Sequence, residues 1–401
     1  MYRKTYLEVD CDKLKNNIKD IIKNYNNYKY YIGVVKANAY GHGNYVIESL
    51  IEGGINYLAV SSLEEAINLR KYNNEIPIIV LEPIKNEFLE VCVKNNITIT
   101  ISSLEYFKTI CKNNFKRKLK YHIKIDSGMS RLGIQNREEL NEFFKMQQTT
   151  AISNNLYLEG IYTHFATSGV FDKYWDEQLI KFKEITRDID LSKIPIVHMG
   201  RSQTLVNHEK ISFCNGIRLG IIMYGIDLKM KTNYTGIKGL IRKLKNQYYA
   251  KKNNISSTLQ TNNLNISPVI KLFSEVIEIR KIKPNNFVSY GALFIAKEDV
   301  YIATIPIGYA DGVPKSLKKV EIGGKLFDIV GEICMDMLMV KIDNSVKIND
   351  IVVLIGGELL PIKSVTKQTG LSSYSIFTGI TTRVPRIYLK NNNRIEISYF
   401  S

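Results

Sequence analysis

The chain has 401 residues, 45% of them hydrophobic and 23% charged, an ordinary globular composition long enough for about two domains. No run of about 18 uncharged apolar residues is present, and the opening "MYRKTYLEVD" lacks an apolar stretch, which argues against a membrane span and a secretory signal. The net charge of +16 invites a nucleic-acid reading, but nine basic residues and no acidic one lie between Asp227 and Glu275. More than half of the excess therefore sits in one Lys/Asn-rich stretch, and residues 228–264 read as a solvated insertion or linker. Neither a nucleic acid nor a membrane is expected as a partner. The five cysteines (Cys11, Cys92, Cys111, Cys214, Cys334) form no CxxC or Cys/His cluster, so reduced thiols, a cytoplasmic location and no metal site are expected.

In chain order, one theme recurs up to about residue 225: a short β-branched run, a polar loop, then a helical pattern. The strand candidates are "YIGVV" (31–35), "YLAV" (57–60), "IPIIVL" (76–81), "ITITI" (97–101), "YHIKI" (121–125), "LEGIYTH" (158–164), "PIVHM" (195–199) and "GIRLG" (216–220). Between them lie helical stretches such as "SLEEAINLRKY", with Ser61 or Ser62 as N-cap, and "YWDEQLIKFKEITRDI". Eight such units predict an α/β fold, a (β/α)8 TIM-type barrel, with a doubly wound sheet as the alternative. After the basic stretch, "LFSEVIEIRKI", "FVSYGALFIA", "VYIATIPIG", "LFDIVGEICM", "LMVKI" and "DIVVLIG" follow with short turns, and helical periodicity is nearly absent until "PIKSVTKQTG". The barrel is thus followed by a mostly β C-terminal domain. The expected divisions are an N-terminal strand within 1–9 joining the C-terminal domain, the barrel at 10–227, the insertion at 228–264 and the β domain at 265–401.

In a barrel, chemistry gathers at the C-terminal ends of the strands. There this chain would place Lys36, Arg131, His164, the "HMGRS" segment (198–202) and Arg218. One such residue is commonplace: a strand-end lysine can snorkel and a lone histidine is usually a satisfied core group. Together they form a cationic cluster suited to an anionic ligand, such as a phosphorylated cofactor with a carboxylate substrate. An amine in an apolar, cation-rich pocket has its pKa pushed down and can form a Schiff base, with pyridoxal 5′-phosphate (PLP) as electron sink. Backbone amides at Ser202 and at Gly220–Ile221 would hold the phosphate.

The segments "VVKANAYGHG", "KIDSGMSRLGI", "GIYTHFA", "IRLGIIMYG", "VSYGALF", "IPIGYADG", "GEICMDM" and "RVPRIY", in this order, resemble the fold-type III PLP-dependent alanine racemases across almost the whole chain. The resemblance implies an amino-acid racemase that interconverts L- and D-alanine by a two-base mechanism, supplies D-alanine for peptidoglycan and works as a homodimer. It makes Lys36 the lysine that carries PLP and one base. Tyr290 becomes the opposite base, offered across a dimer interface. Tyr40, Ser202, Gly220 and Ile221 would bind the phosphate. His164 would stack beside the ring and hydrogen-bond outward, and Arg218 would face the pyridine nitrogen. Arg131 would contact the cofactor's phenolic oxygen and the substrate carboxylate. Tyr309 and Met335 of the second subunit would line the substrate site, and Lys124 matches a lysine that is often carbamylated. Taken alone, Met335 reads as core and Tyr290 as one of 25 tyrosines; their motifs carry the assignment.

Three positions depart from the family pattern. Arg201 stands where an asparagine is usual, Glu332 where an arginine is common, and Thr382 where many members carry a tyrosine that narrows the substrate entrance. A smaller residue there is expected to widen the pocket, which keeps a serine or broad-specificity small-amino-acid racemase open. A PLP-barrel decarboxylase and a non-catalytic PLP-binding protein are the remaining alternatives; Arg218 opposes the first, and Lys36 with Tyr290 the second.

Overall fold

A strand at Tyr6–Asp10 (β1) precedes eight parallel strands: Tyr30–Val34 (β2), Tyr57–Val60 (β3), Ile78–Val80 (β4), Ile97–Ile101 (β5), Leu119–Lys124 (β6), Leu156–Tyr162 (β7), Ile196–Arg201 (β8) and Gly216–Leu219 (β9). Each pairs with the next, and β9 returns to β2, closing the barrel. All eight apolar runs found in the sequence carry one of these strands, two of them with the same ends and the rest with ends shifted by at most two residues. The structure, a computed structural model, describes residues 3–150, 154–169, 172–229, 236–252 and 263–398.

Every residue of β3 and β5 is buried. A barrel strand packs one face into the barrel interior and the other against helices, so it reads as a continuous apolar run instead of an alternation. The intervening helices start where the sequence offers caps. Ser62 Oγ accepts from Glu65 N–H at 3.4 Å at the start of Leu63–Arg70. Asp172 accepts from the amides of Tyr174 and Trp175 at the start of Lys173–Ile185.

The C-terminal domain adds Ile270–Glu275 (β10), Glu278–Ile282 (β11), Phe287–Val288 (β12), Phe294–Ile295 (β13), Val300–Ile305 (β14), Lys319–Ile322 (β15), Lys325–Val330 (β16), Leu338–Ile342 (β17), Ile351–Ile355 (β18), Arg386–Lys390 (β19) and Asn393–Ile397 (β20). They form a ten-stranded sheet in the order β11-β14-β17-β16-β15-β18-β10-β1-β19-β20, with β12 and β13 as a separate hairpin. Strand β1 lies inside this sheet, antiparallel to β10 and parallel to β19.

"LFSEVIEIRKI", which reads as one run, is two strands. The Val276 N–H bonds to Asp350 O and the Ile277 N–H to Thr304 O, so the chain changes neighbours there and feeds two separate places in the sheet. The basic insertion also differs from a plain linker: Gly236–Lys252 is a helix, while residues 230–235 and 253–262 lie outside the described residues.

The β domain reaches back onto the barrel mouth. Arg386 Nη2 donates to Gly41 O at 2.9 Å and Tyr388 Oη to His42 O at 3.1 Å. Gly41 has φ +79°, and a Cβ on it would lie 2.1 Å from Phe377 O, so only glycine lets the loop after β2 and the helix Ser373–Gly379 approach this closely. Among the described residues no helix is long and apolar enough to cross a membrane.

Candidate active site

Strand β2 delivers its chain end into an unusual turn. Ala37, Asn38, Ala39 and Tyr40 all have φ between 51° and 55°, in the left-handed region. Each such residue costs about 1–2 kcal/mol relative to the right-handed form, so the surroundings must hold the turn in place. Glu65 Oε1 accepts from Ala37 N–H at 2.7 Å, and its Oε2 accepts from Ser61 N–H at 2.9 Å. The amides of Ala39 and Gly43 bond to Val35 O and Asn38 O, each at 2.9 Å. The buried His42 sets Nδ1 against Ala39 O (3.0 Å) and Tyr40 O (2.9 Å). The result points Lys36 and Tyr40 into one cavity.

That cavity, of about 520 Å³, opens at the C-terminal ends of the barrel strands. Its walls bring together Lys36, Tyr40, Lys124, Arg131, His164, Ser202, Arg218 and Gly220, residues drawn from the ends of five strands, β2 and β6 to β9. Ile221 follows Gly220, but its side chain is buried in the core.

At one end, Ser202 Oγ accepts from Gly220 N–H at 2.9 Å, so this amide, expected to face a phosphate, is already engaged. A Cβ on Gly220 would lie 2.8 Å from Tyr40 Oη and 3.7 Å from Ser202 Oγ, in the middle of a hydroxyl-lined cradle. Burial pushes the Tyr40 phenol up, which keeps it a proton donor. Arg201 lines the same cavity, donates through Nε to Ser168 Oγ at 3.3 Å, and has no carboxylate partner among the described residues. The donor set fits a phosphate dianion: two hydroxyls, a guanidinium and glycine backbone that leaves room for close approach.

Arg218 forms the floor. It is buried and donates to Thr163 O and Met199 O, both at 2.8 Å, and to His198 O at 3.1 Å. Burial pushes its guanidinium down to about 10, still a cation at neutral pH. Beneath it runs a relay that the sequence reading missed. Arg218 Nη1 donates to His198 Nδ1 at 2.5 Å, His198 Nε2 lies 2.9 Å from His122 Nδ1, and His122 Nε2 lies 3.4 Å from Glu159 Oε2. Because the guanidinium can only donate, His198 accepts at Nδ1 and carries its proton at Nε2; His122 repeats that arrangement and points its N–H at Glu159. Burial, and then Arg218, hold His198 below its usual range; burial holds His122 there too against the opposing pull of Glu159, so both imidazoles are neutral. Burial alone would raise the Glu159 carboxyl, but His122 and the Tyr57 hydroxyl at 2.5 Å outweigh it and hold it at about 2. Thr98 Oγ1 donates to the same oxygen at 2.9 Å. The signal lay in titratable residues interrupting apolar strands: "YHIKI", "PIVHM" and "LEGIYTH".

One expectation changes here. Lys36 sits exposed at the rim of a cavity that Val34, Leu81 and Leu132 also line, and is not the buried amine foreseen for it. The buried lysine is Lys124, whose amine is pushed down to about 8 by burial, then by Arg131 and Arg218. His164 sets its Nδ1 3.3 Å from Arg218 Nη2, and burial with the nearby guanidiniums holds its imidazole well below the usual range.

Thr382 is not on this cavity. It faces an adjoining hollow with Val35, Asn38, Asn44, Glu64 and Glu65, whereas the β domain contributes Tyr374 and Thr378 to the cavity wall. Tyr374 lies 5.9 Å from Tyr40 between ring centroids, so a bulky phenol stands at this wall despite the departure at Thr382.

Tyr290, Tyr309 and Met335 lie elsewhere, together on the outer surface of the β domain. The amides of Tyr309 and Ala310 bond to Cys334 O and Met335 O, each at 3.0 Å, and Ser289 Oγ donates to Glu332 O at 2.6 Å, drawing the three segments together. Glu332, one of the departures, pairs with Lys315 at 2.8 Å, and Lys315 lies over the Tyr309 ring. Tyr290 is 71% exposed at the tip of the β12–β13 hairpin. Among the described residues no group of three His, Cys, Asp or Glu is placed to hold a metal ion.

The chain matches two family models, "Alanine racemase, N-terminal domain" over residues 9–227 and "Alanine racemase, C-terminal domain" over residues 269–388. It is 30% identical over 403 residues to alanine racemase 1 of Bacillus subtilis (strain 168), covering 99% of this chain and 96% of the relative. With the alanine racemase of Clostridium novyi (strain NT) it shares 32% over 412 residues, covering 98% of each. Among solved structures, alanine racemase of Clostridium difficile 630 superposes with a TM-score of 0.85 at 32% identity, over all of both chains. A histidine racemase from Leuconostoc mesenteroides subsp. sake gives 0.82 at 26%, covering 97% of this chain and 99% of that one. The chain belongs to the alanine racemase family and is an enzyme of that kind.

Proposed function

We propose that the enzyme interconverts L- and D-alanine with PLP, using Lys36 and Tyr290 as bases on opposite faces of the substrate and completing each site across a homodimer. The observation that carries this reading is one cavity holding Lys36 at the rim, the Tyr40–Ser202–Gly220 cradle at one end and Arg218 on the floor. PLP, when bound, supplies the carbonyl carbon that captures the amino group and the conjugated ring that accepts the electron pair released at Cα. The chain's own groups do the rest. Tyr40 and Ser202, with the Ile221 amide and the room that Gly220 leaves beside them, anchor the phosphate. Arg131 pairs with the substrate carboxylate. Lys36 Nζ removes or returns the Cα proton on one face, and the phenol oxygen of Tyr290 serves the other.

Arg218, which keeps its proton near neutrality, would leave a facing ring nitrogen unprotonated, whereas an aspartate there would do the reverse; a guanidinium at this place would thereby disfavour decarboxylation and transamination. His164, neutral, packs beside the ring. Tyr309 and Met335 of the second subunit narrow the substrate space. Lys124 is assigned to carbamylation: its neutral Nζ adds to CO2, releases one proton to solvent, and gains an anionic group to orient Arg131. In a bacterial cytoplasm the product would supply D-alanine for peptidoglycan.

The test is loss of optical rotation from separate L-alanine, L-serine and L-histidine solutions, with added PLP and the protein's visible spectrum recorded alongside. Fastest loss with alanine is expected. Faster loss with serine or histidine would move the substrate assignment, and no visible cofactor band would overturn the placement of PLP.

A further inference from the structure

The two family matches leave residues 228–268 unassigned, and within them Gly236–Lys252 is a helix. Ile237, Leu240, Ile241, Leu244 and Tyr248 recur at helical spacing and share one side at 100° per residue. All five are exposed, Ile237 at 81% and Tyr248 at 69%. Away from this stripe the helix is fastened to the barrel: Tyr249 Oη donates to Asp176 Oδ2 at 2.9 Å. The apolar side therefore faces outward by construction. The helix also contains six basic residues and no acidic one, with Lys243, Lys245, Lys251 and Lys252 exposed.

An occupant must satisfy both halves of this pattern. A nucleic acid would answer the lysines and leave the stripe in water. A second copy would cover the stripe but bring the same unneutralised cations against it. An anionic bilayer answers both, with acyl chains for the stripe and headgroups for the lysines. At 1.5 Å per residue the helix is about 25 Å long and heavily charged, suited to lying in the interface and not to spanning it. We infer that Gly236–Lys252 docks the protein peripherally on an anionic lipid surface. That no described helix spans a membrane does not bear on this contact, and the inference is independent of the reaction assigned above.

The experiment is co-sedimentation of the full-chain, cofactor-loaded protein with vesicles of phosphatidylcholine alone and of phosphatidylcholine containing about 30% phosphatidylglycerol, at low salt. Binding to the anionic vesicles is expected, falling about tenfold in Leu240→Glu/Leu244→Glu and also, at low salt, in Lys243→Gln/Lys245→Gln. An unchanged visible spectrum and racemisation rate would certify that both variants fold. Equal sedimentation with both vesicle types, or wild-type binding by the leucine variant, would overturn the inference. So would a vesicle-free, concentration-dependent assembly that the leucine variant abolishes, which assigns the stripe to a second copy. Duplex DNA binding lost only in the lysine variant, with no vesicle binding, would assign the surface to nucleic acid.

Discussion

The barrel and the β domain treat polar chemistry in opposite ways. The barrel buries it: Arg218, His198, His122 and Glu159 form an ordered series in which each donor meets an acceptor, because an unanswered polar group in a closed core is costly. The β domain displays it: Tyr290, Tyr309 and Met335 sit on its outer face. The barrel half is thus organised within one chain, while in the proposed homodimer the β-domain half would complete a site only against the partner subunit.

The strongest way to break this contrast is Lys36→Ala. It should abolish the visible band of the cofactor-loaded protein and lower racemisation by roughly 10³-fold or more, as loss of a general base does at its upper range; an unchanged spectrum would place the cofactor elsewhere. Next, Tyr290→Phe should keep the visible band and lose roughly 10²-fold in rate, with an unchanged melting temperature, since nothing in its own chain buries it. Undiminished turnover would remove Tyr290 from the chemistry.

Glu159→Ala should show the converse, a stability defect first. Removing one partner of a buried charge network costs about 3–5 kcal/mol, read as a lower denaturation midpoint. The sign with pH follows from a folded-state pKa of about 2 against an ordinary 4.5. The carboxylate's contribution is fully present above about 4.5 and lost as pH falls through 2. Glu159→Gln should therefore flatten the acid limb of the stability profile below about pH 4.5.

Lys124→Met should stabilise the protein at pH 7 in CO2-depleted buffer. Its folded pKa of about 8 against 10.5 means that folding penalises the protonated amine. The gain should shrink as pH rises from about 8 and vanish above 10.5. Adding bicarbonate should raise the activity of the wild type and not of this variant. The smallest effect is expected from Arg201→Asn, a roughly tenfold loss of PLP affinity in spectral titration with the visible band retained.

The barrel was legible because its strands are buried on both faces and announce themselves as unbroken apolar runs. In the β domain, β15 and β16 were hidden or blurred by lysines in "LKKVEIGGKLFDIV": edge and solvent faces alternate, and the Gly323–Gly324 turn, with φ 55° and 74°, is the clearer mark of that hairpin. Strands β19 and β20 were missed for a related reason, since "RIYLKNNNRIEI" turns on asparagines with positive φ. For the site, resemblance supplied names that periodicity could not, and the structure supplied what neither showed: the side-chain relay below Arg218, and the gathering of Tyr374, in place of Thr382, at the cavity wall. Both depend on which strands become neighbours in the barrel, a long-range fact that no local window contains. The helix at 236–252 was overlooked because abundant Lys and Asn masked a regular apolar spacing.

In the Lys36–Tyr40 turn, the usual arithmetic of substitution runs backwards. Glycine inside a secondary-structure element normally weakens a protein, yet here four consecutive L-residues occupy a backbone region in which an L-side chain is crowded. Ala37→Gly or Ala39→Gly would relieve that crowding and stabilise the turn locally, while freeing the backbone that aims the lysine. By the same symmetry, a semisynthetic chain carrying D-alanine at either position would relieve the crowding without that freedom. A backbone built almost wholly from one hand keeps, at the residue that would handle both, a short stretch shaped for the other.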